Sequence, residues 1–86
     1  MPKPDFTIDC LGLYCPMPII KTAEKIKELS AGQILEVISD DEGIVEDMPN
    51  WCKMTGHEFL EMKQEDDEYR AYIKKVVSTT TILNII

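Results

Sequence analysis

The first half of the chain shows a strand pattern, a helix pattern and a second strand pattern in turn. Residues 6–10, "FTIDC", alternate apolar and polar side chains and stop before Gly12, which is typical of a short strand. From Pro16 onward, apolar residues recur at helical spacing until Gly32 supplies the stop; they are Ile19, Ala23, Ile26 and Leu29. Residues 33–39, "QILEVIS", are a nearly continuous apolar run. This run predicts a central strand covered on one face and flanked on both edges.

The second half predicts a helix followed by a β-hairpin. Carboxylates, which are favoured at helix N-termini, stand where a helix would begin; they are Asp40, Asp41 and Glu42. An apolar stripe follows and ends at Gly56; it comprises Ile44, Val45, Met48, Trp51 and Cys52. Pro49 falls inside this stripe and predicts a kink or a break into two short helices. The alternating segments "HEFLEMK" and "YRAYIKK", joined by the polar "QEDDE", predict the hairpin.

The order of elements is therefore strand, helix, strand, helix, strand, strand. Two helices can cover one face of a four-stranded sheet, so the expected α/β fold is an open two-layer βαβαββ sandwich with a mixed sheet. Each βαβ crossover is expected to be right-handed. At 86 residues the chain can bury one core, and we assign residues 1–75 to one domain.

Residues 76–86, "VVSTTTILNII", form a β-prone apolar C-terminal extension. Its apolar end would be costly to leave in water; the residues concerned are Ile82, Leu83, Ile85 and Ile86. The extension is either an extra edge strand or an apolar tail packed on the domain, or it contacts a second chain.

Charge and composition narrow the classes of partner and compartment. The net charge of −7, from 16 acidic and 9 basic residues, repels phosphate backbones and argues against nucleic-acid binding, so a basic partner protein fits better. No apolar run approaches the roughly 20 residues of a membrane span, and "MPKPDF" lacks an apolar leader, which favours the cytoplasm. Charges that could dock a partner, or simply face solvent, are Lys21, Lys25, Asp40, Asp41 and Glu42.

Cys15 stands where a strand turns into a proline-rich helix, in "YCPMPII". Proline is favoured at the first helical position, so Pro16 there would make Cys15 the N-cap, and Pro18 removes another amide from the same turn. The positive end of the helix dipole and any free amides would then be directed at the sulfur and favour a reactive thiolate.

The other two cysteines and the single histidine allow different interpretations. Cys10 is either buried or a resolving thiol for Cys15, and Cys52, beside Trp51, is predicted to lie in the core. Together with His57, the three cysteines could in principle form a Cys₃His zinc site, but no C-x-x-C pair is present. A catalytic pair of Cys15 and His57 is equally weakly supported, and we expect neither metal nor cofactor.

The motif "DCLGLYCPMP" and the segments that follow it resemble one known family. With "QILEVISDDEG", "MPNWCKMTGHEFLE" and "YRAYIKK", the chain is similar over about residues 6 to 75 to the TusA/SirA-type sulfur-carrier proteins and their Cys-Pro-x-Pro motif. The resemblance implies a two-layer βαβαββ sandwich in which Cys15 accepts sulfur as a persulfide and passes it on. Pro16 and Pro18 would support the motif, and the extension lies outside the usual pattern.

The resemblance also implies the partners. A cysteine desulfurase or a rhodanese-like protein would donate the sulfur, and a protein of tRNA thiolation, molybdenum-cofactor synthesis or sulfur metabolism would accept it. The carrier would be a monomer or weak dimer. Cys10 stands where tRNA-thiolation members carry another residue, which leaves a redox or selenium-related branch open. Two other functions are also considered: a thiol redox module that cycles Cys10 and Cys15, and a non-catalytic interaction module.

Overall fold

The computed structural model describes residues 3–14 and 16–77, and its secondary structure follows the predicted order. The strands are β1 (Phe6–Asp9), β2 (Ile34–Ser39), β3 (Glu58–Glu65) and β4 (Glu68–Lys74), and the helices are α1 (Met17–Ile26) and α2 (Ile44–Thr55). The predictions that concern Cys15 itself and the extension beyond Val77 lie outside the described residues.

The four strands form one mixed sheet in the order β1-β2-β4-β3. β1 runs parallel to β2, whereas β4 is antiparallel to both β2 and β3. The prediction that β2 is a central strand is confirmed, because β1 and β4 flank it. Leu35 pairs with Ile73 and Val37 with Ala71, so these four side chains share one face of the sheet.

Both helices cover that face, and the core lies between them and the sheet. The buried apolar residues form one cluster: Cys10, Ile26, Leu29, Leu35, Val37, Ile44, Met48, Cys52, Ala71 and Ile73. Thr22 is also fully buried on α1, where the apolar pattern did not predict it. Its hydroxyl donates to the carbonyl of Pro18 at 2.7 Å, so no polar atom of the side chain is left unsatisfied.

Helix α1 begins one residue later and ends earlier than predicted. Pro16 is the N-cap, with φ −97° and ψ 14°, so the assignment of Cys15 to the N-cap and Pro16 to the first helical position is wrong. The helix ends at Ile26, and two tight turns then carry the chain through the buried Leu29. Gly32, with φ 89°, makes the turn into β2 instead of capping the helix.

Helix α2 is continuous across Pro49, so a break into two pieces is wrong. Proline removes the amide that would bond to the carbonyl of Val45 four residues earlier. Val45 is 43% exposed, where water can bond to that carbonyl, and it does not belong to the buried stripe as predicted. The predicted stop is confirmed: Gly56 has φ 88° and its amide donates to Cys52 O at 2.9 Å.

The hairpin is tighter than its polar sequence predicts. β3 extends to Glu65 and β4 begins at Glu68, which leaves only Asp66 and Asp67 in the turn. Asp66 has φ 54°, a left-handed conformation that aspartate tolerates. Among the described residues no helix is long and apolar enough to cross a membrane.

Candidate functional site

A hydrogen-bonded loop leads from β1 to the position of Cys15. The amide of Leu11 donates to Asp9 Oδ1 at 2.9 Å, and that of Leu13 donates to Cys10 O at 3.2 Å. The amide of Gly12 donates to Asp40 Oδ1 at 3.1 Å, which joins the loop to the end of β2. Gly12 has φ 81°, a conformation that favours glycine. The residues that precede Cys15 are therefore held in a defined path.

The amides in the first turn of α1 donate hydrogen bonds to nearby backbone carbonyls. Pro16 and Pro18 have no N–H, the amide of Met17 donates to Tyr14 O at 2.8 Å, and the amide of Ile19 donates to Pro16 O at 3.0 Å. The expectation of free amides directed at the sulfur is therefore wrong for the described part of this turn, because the Tyr14–Met17 turn and the prolines remove them. The dipole of the ten-residue helix is the electrostatic contribution that remains.

An acidic groove of about 500 Å³ lies beside this loop. Its lining includes the exposed Tyr14, which directly precedes Cys15 in the chain, and Tyr69. The carboxylates in the lining come from the end of β2 and from the hairpin turn: Asp40, Asp41, Glu42, Asp66 and Asp67. A positively charged partner surface would complement this groove.

An apolar groove of about 320 Å³ lies where α1 begins, against α2. Pro16 and Ile19 line it from the start of α1, and α2 contributes two apolar residues, Trp51 and Met54, and two polar ones, Asp47 and Asn50. Met54 is 85% exposed and Met17, in the first turn of α1, is 38% exposed. Apolar surface is therefore available next to the residue that follows Cys15.

Cys10 and Cys52 are core residues, each 1% exposed. Burial, together with the charge of Asp9, raises the pKa of Cys10, although Lys21 partly opposes the change. Burial also raises the pKa of Cys52 to about 11. Both thiols are therefore held protonated near neutral pH and are poor nucleophiles. The predicted core position of Cys52 is confirmed, and of the two readings of Cys10 the structure shows burial.

His57 has a structural role among the described residues. Its ring stacks on Trp51 at 5.5 Å between centroids, and Nδ1 accepts a hydrogen bond from the amide of Val76 at 3.1 Å. Burial and the nearby charge of Lys75 lower the pKa of His57, so the neutral ring that can accept this bond is favoured. Within residues 3–14 and 16–77, no three potential metal ligands are grouped, so Cys10, Cys52 and His57 are not brought together as a set of three.

The charges proposed for docking divide into two sets. Lys25 lies 3.3 Å from Glu28 and 5.1 Å from the centre of the Phe6 ring, and Lys21 lies 4.0 Å from Glu24, so both lysines pair within the surface of the domain. Asp40, by contrast, holds the loop through Gly12. That role was not predicted, because only the fold brings residues 28 positions apart together.

Comparisons with known proteins show that the chain is similar to one protein family. The family Sulfurtransferase TusA matches residues 6–75. A relative from Archaeoglobus fulgidus is 39% identical over 69 residues, which make up 80% of this chain and 94% of that protein. The sulfur carrier protein TusA of Allochromatium vinosum is 39% identical over 71 residues, covering 83% of this chain and 93% of that protein.

A solved structure shows the same fold. The SirA-like protein of Desulfitobacterium hafniense superposes with a TM-score of 0.73 at 26% identity, covering 84% of this chain and 99% of that one. The segment that matches the family contains all four strands and both helices, and it ends after β4. The chain belongs to the TusA sulfurtransferase family.

Proposed function

We propose that this chain carries sulfane sulfur as a persulfide on Cys15, between a donor protein and an acceptor protein. The observation that carries the proposal is the position of the Cys-Pro-Met-Pro motif within the family match: it follows a loop fixed by Asp40, and its last two residues open the first turn of α1. The names of the relatives support a carrier role, and the other two cysteines, Cys10 and Cys52, are both buried in the core.

The transfer is a thiol exchange without net oxidation. The Cys15 thiolate attacks the terminal sulfur of the donor's persulfide, a new S–S bond forms, and the old S–S bond breaks as the donor thiolate leaves with its electron pair. An acceptor thiolate then attacks the terminal sulfur on Cys15 in the same way. The donor is a cysteine desulfurase or a rhodanese-like protein, and the acceptor belongs to tRNA thiolation, molybdenum-cofactor synthesis or sulfur metabolism.

The chain's own residues position the thiol and present it to partners. Pro16 and Pro18 restrict the backbone after Cys15, and the Gly12–Asp40 bond restricts it before. The acidic groove includes Gly12 and Tyr14, which precede Cys15, and the apolar groove includes Pro16, which follows it, so the two grooves offer partners charge and apolar surface. No group other than the thiol is needed for the exchange, because the donor supplies sulfur that is already activated.

A redox module that cycles Cys10 and Cys15 is less well supported. The thiol of Cys10 is buried and its pKa is raised, so it is poorly suited to attack an oxidised Cys15. An oxidant that produces an internal disulfide dependent on Cys10 would favour the redox module over the carrier.

Intact-mass measurement after incubation with a persulfide donor tests the carrier directly. The expected product is the chain plus one sulfur atom, which a reductant removes. Cys15→Ser should abolish the addition, whereas Cys10→Ala and Cys52→Ala should retain it, with only a loss of stability of about 1–2 kcal/mol for the lost core contacts. The proposal fails if Cys15→Ser still gains sulfur, or if the wild-type chain gains none. Retention of cellular function by Cys15→Ser would instead support the non-catalytic interaction module.

A further inference from the structure

After β4 the chain contacts His57, whose ring stacks on Trp51. The amide of Lys75 donates to Gln33 O at 2.9 Å, and the next amide, of Val76, donates to His57 Nδ1 at 3.1 Å. The His57 ring lies stacked on Trp51. His57 therefore connects Val76 to Trp51, and the extension begins beside this ring pair.

Trp51 also lines the apolar groove beside the Cys15 loop. Ile19 and Met54 supply the other large apolar side chains of this groove, and Pro16, which follows Cys15 in the chain, forms part of its wall. With Met54 85% exposed, much of this apolar surface is not covered by the described residues. The groove is thus a site where further apolar side chains could be buried.

The rest of the extension has the length and the chemistry to fill this groove. Nine residues, 78–86, follow Val77, and an extended segment of that length spans about 30 Å. None of the nine is charged, and four of the last five are large aliphatic residues: Ile82, Leu83, Ile85 and Ile86. Residues 76–86 also lie outside the family match.

We propose that residues 82–86 dock in the apolar groove of their own chain, against Ile19, Trp51 and Met54. The tail is then a built-in competitor: a donor or acceptor that contacts Trp51 and Met54 must first displace it. This consequence rests on the proposed sulfur transfer, but the docking itself does not.

Trp51 is the single tryptophan of the chain, so its fluorescence reports on the groove. In the full chain, the four substitutions Ile82→Ser, Leu83→Ser, Ile85→Ser and Ile86→Ser together should red-shift the emission. If the tail is docked at least half of the time, they should also raise acrylamide quenching about twofold. The matched control carries Thr79→Ser, Thr80→Ser and Thr81→Ser and should behave as the wild type. Equal quenching in all three chains would overturn the docking.

Methyl NOEs in the wild-type chain test the contact without any substitution. Cross-peaks from the methyl groups of Ile82, Ile85 or Ile86 to the indole of Trp51 are expected, and their absence would overturn the proposal. Cross-peaks that occur only between differently labelled chains would show that the tail binds a second copy, which also overturns it. These readouts need no persulfide, so failure of sulfur loading leaves them unchanged.

Discussion

At the scale of single residues, burial separates side chains that look alike in the sequence. The core position of Cys52 could be predicted, because it lies on an apolar stripe beside Trp51. The place of Cys10 could not be decided, since strand alternation at a strand end does not show which neighbours will cover a side chain. Cys10 is 1% exposed because of neighbours that are distant in the sequence, and local sequence patterns do not show such neighbours.

The burial and the polar contacts of Glu36 were not predicted from the sequence. It lies inside the apolar run of β2, yet its side chain points to the sheet face opposite the helices and is only 10% exposed. Thr7 donates to one of its carboxylate oxygens at 3.0 Å and Tyr72 donates to the other at 2.6 Å, while Arg70 lies 3.6 Å away. The three partners come from β1 and β4, so the buried carboxylate joins three strands.

This network predicts a specific acid dependence of stability. Burial alone would raise the pKa of Glu36, but the hydrogen bonds from Tyr72 and Thr7 and the charge of Arg70 outweigh it and lower the pKa below the ordinary 4.5. A lowered pKa in the folded state stabilises the protein above pH 4.5, and this contribution is lost as the pH falls through the folded-state value. Glu36→Gln should therefore cost about 1–3 kcal/mol near neutral pH and progressively less in acid.

Urea unfolding of both chains from neutral pH down to pH values below 4.5 measures this difference. Glu61→Gln, on the neighbouring strand β3, is the control, because it removes one carboxylate from the same sheet face but none of the bonds to Glu36. A wild-type-to-variant difference that stays constant or grows in acid would contradict the proposed role of Glu36.

At the scale of elements, the sequence predicted which segments are helices and strands better than where they begin. Gly56 ends α2 as predicted, because its left-handed conformation is a local property of glycine. The start of α1 was displaced by one residue, because whether Pro16 precedes or opens the helix depends on the hydrogen bond from Met17 to Tyr14. The reach of β3 and β4 into polar residues was missed, since pairing between strands outweighs the polarity of single positions.

The loop before Cys15 should loosen when its bond to β2 is removed. Asp40→Ala deletes the acceptor of the Gly12 amide, and we expect a loss of about 0.5–1.5 kcal/mol of local stability, because Asp40 is exposed and water can replace it. Amide hydrogen exchange at Gly12 should become faster, and sulfur loading of Cys15 should slow. Asp40→Asn keeps an oxygen at the same position and should retain most of the protection. Equal exchange in the alanine variant and the wild type would show that the bond does not position the loop.

At the scale of the whole molecule, two grooves of different chemistry adjoin one loop, the first through Gly12 and Tyr14 and the second through Pro16. The acidic groove carries five carboxylates in a chain whose net charge is already −7, while the apolar groove on the α2 side is lined by Trp51 and Met54. The sequence alone showed the excess of acidic residues but not their convergence, because Asp40 and Asp66 are brought together only when the hairpin lies beside the end of β2. The two grooves suit a partner that is first attracted by the carboxylates of the acidic groove and then buries apolar side chains in the apolar groove.

Under the proposed sulfur transfer, the acidic groove should make loading by a protein donor sensitive to salt. Attraction between the carboxylates and a basic donor surface accelerates encounter, and ions screen it over about 10 Å at 0.1 M salt. The loading rate should therefore fall as ionic strength rises, and Asp66→Asn with Asp67→Asn should make that fall shallower. Asparagine tolerates the left-handed conformation of Asp66, so the turn should be retained while two charges are lost.

The control pair Glu24→Gln and Glu28→Gln removes the same charge from exposed positions of α1 and the turn after it, outside the acidic groove, and should leave the salt dependence as in the wild type. Loading by cysteine persulfide separates docking from chemistry, because a small reagent needs no docking surface and should show the same rate in all three chains. If the hairpin variant and the control pair changed the salt dependence equally, net charge and not the acidic groove would guide the donor. If salt accelerated loading, the donor would approach another face of the domain.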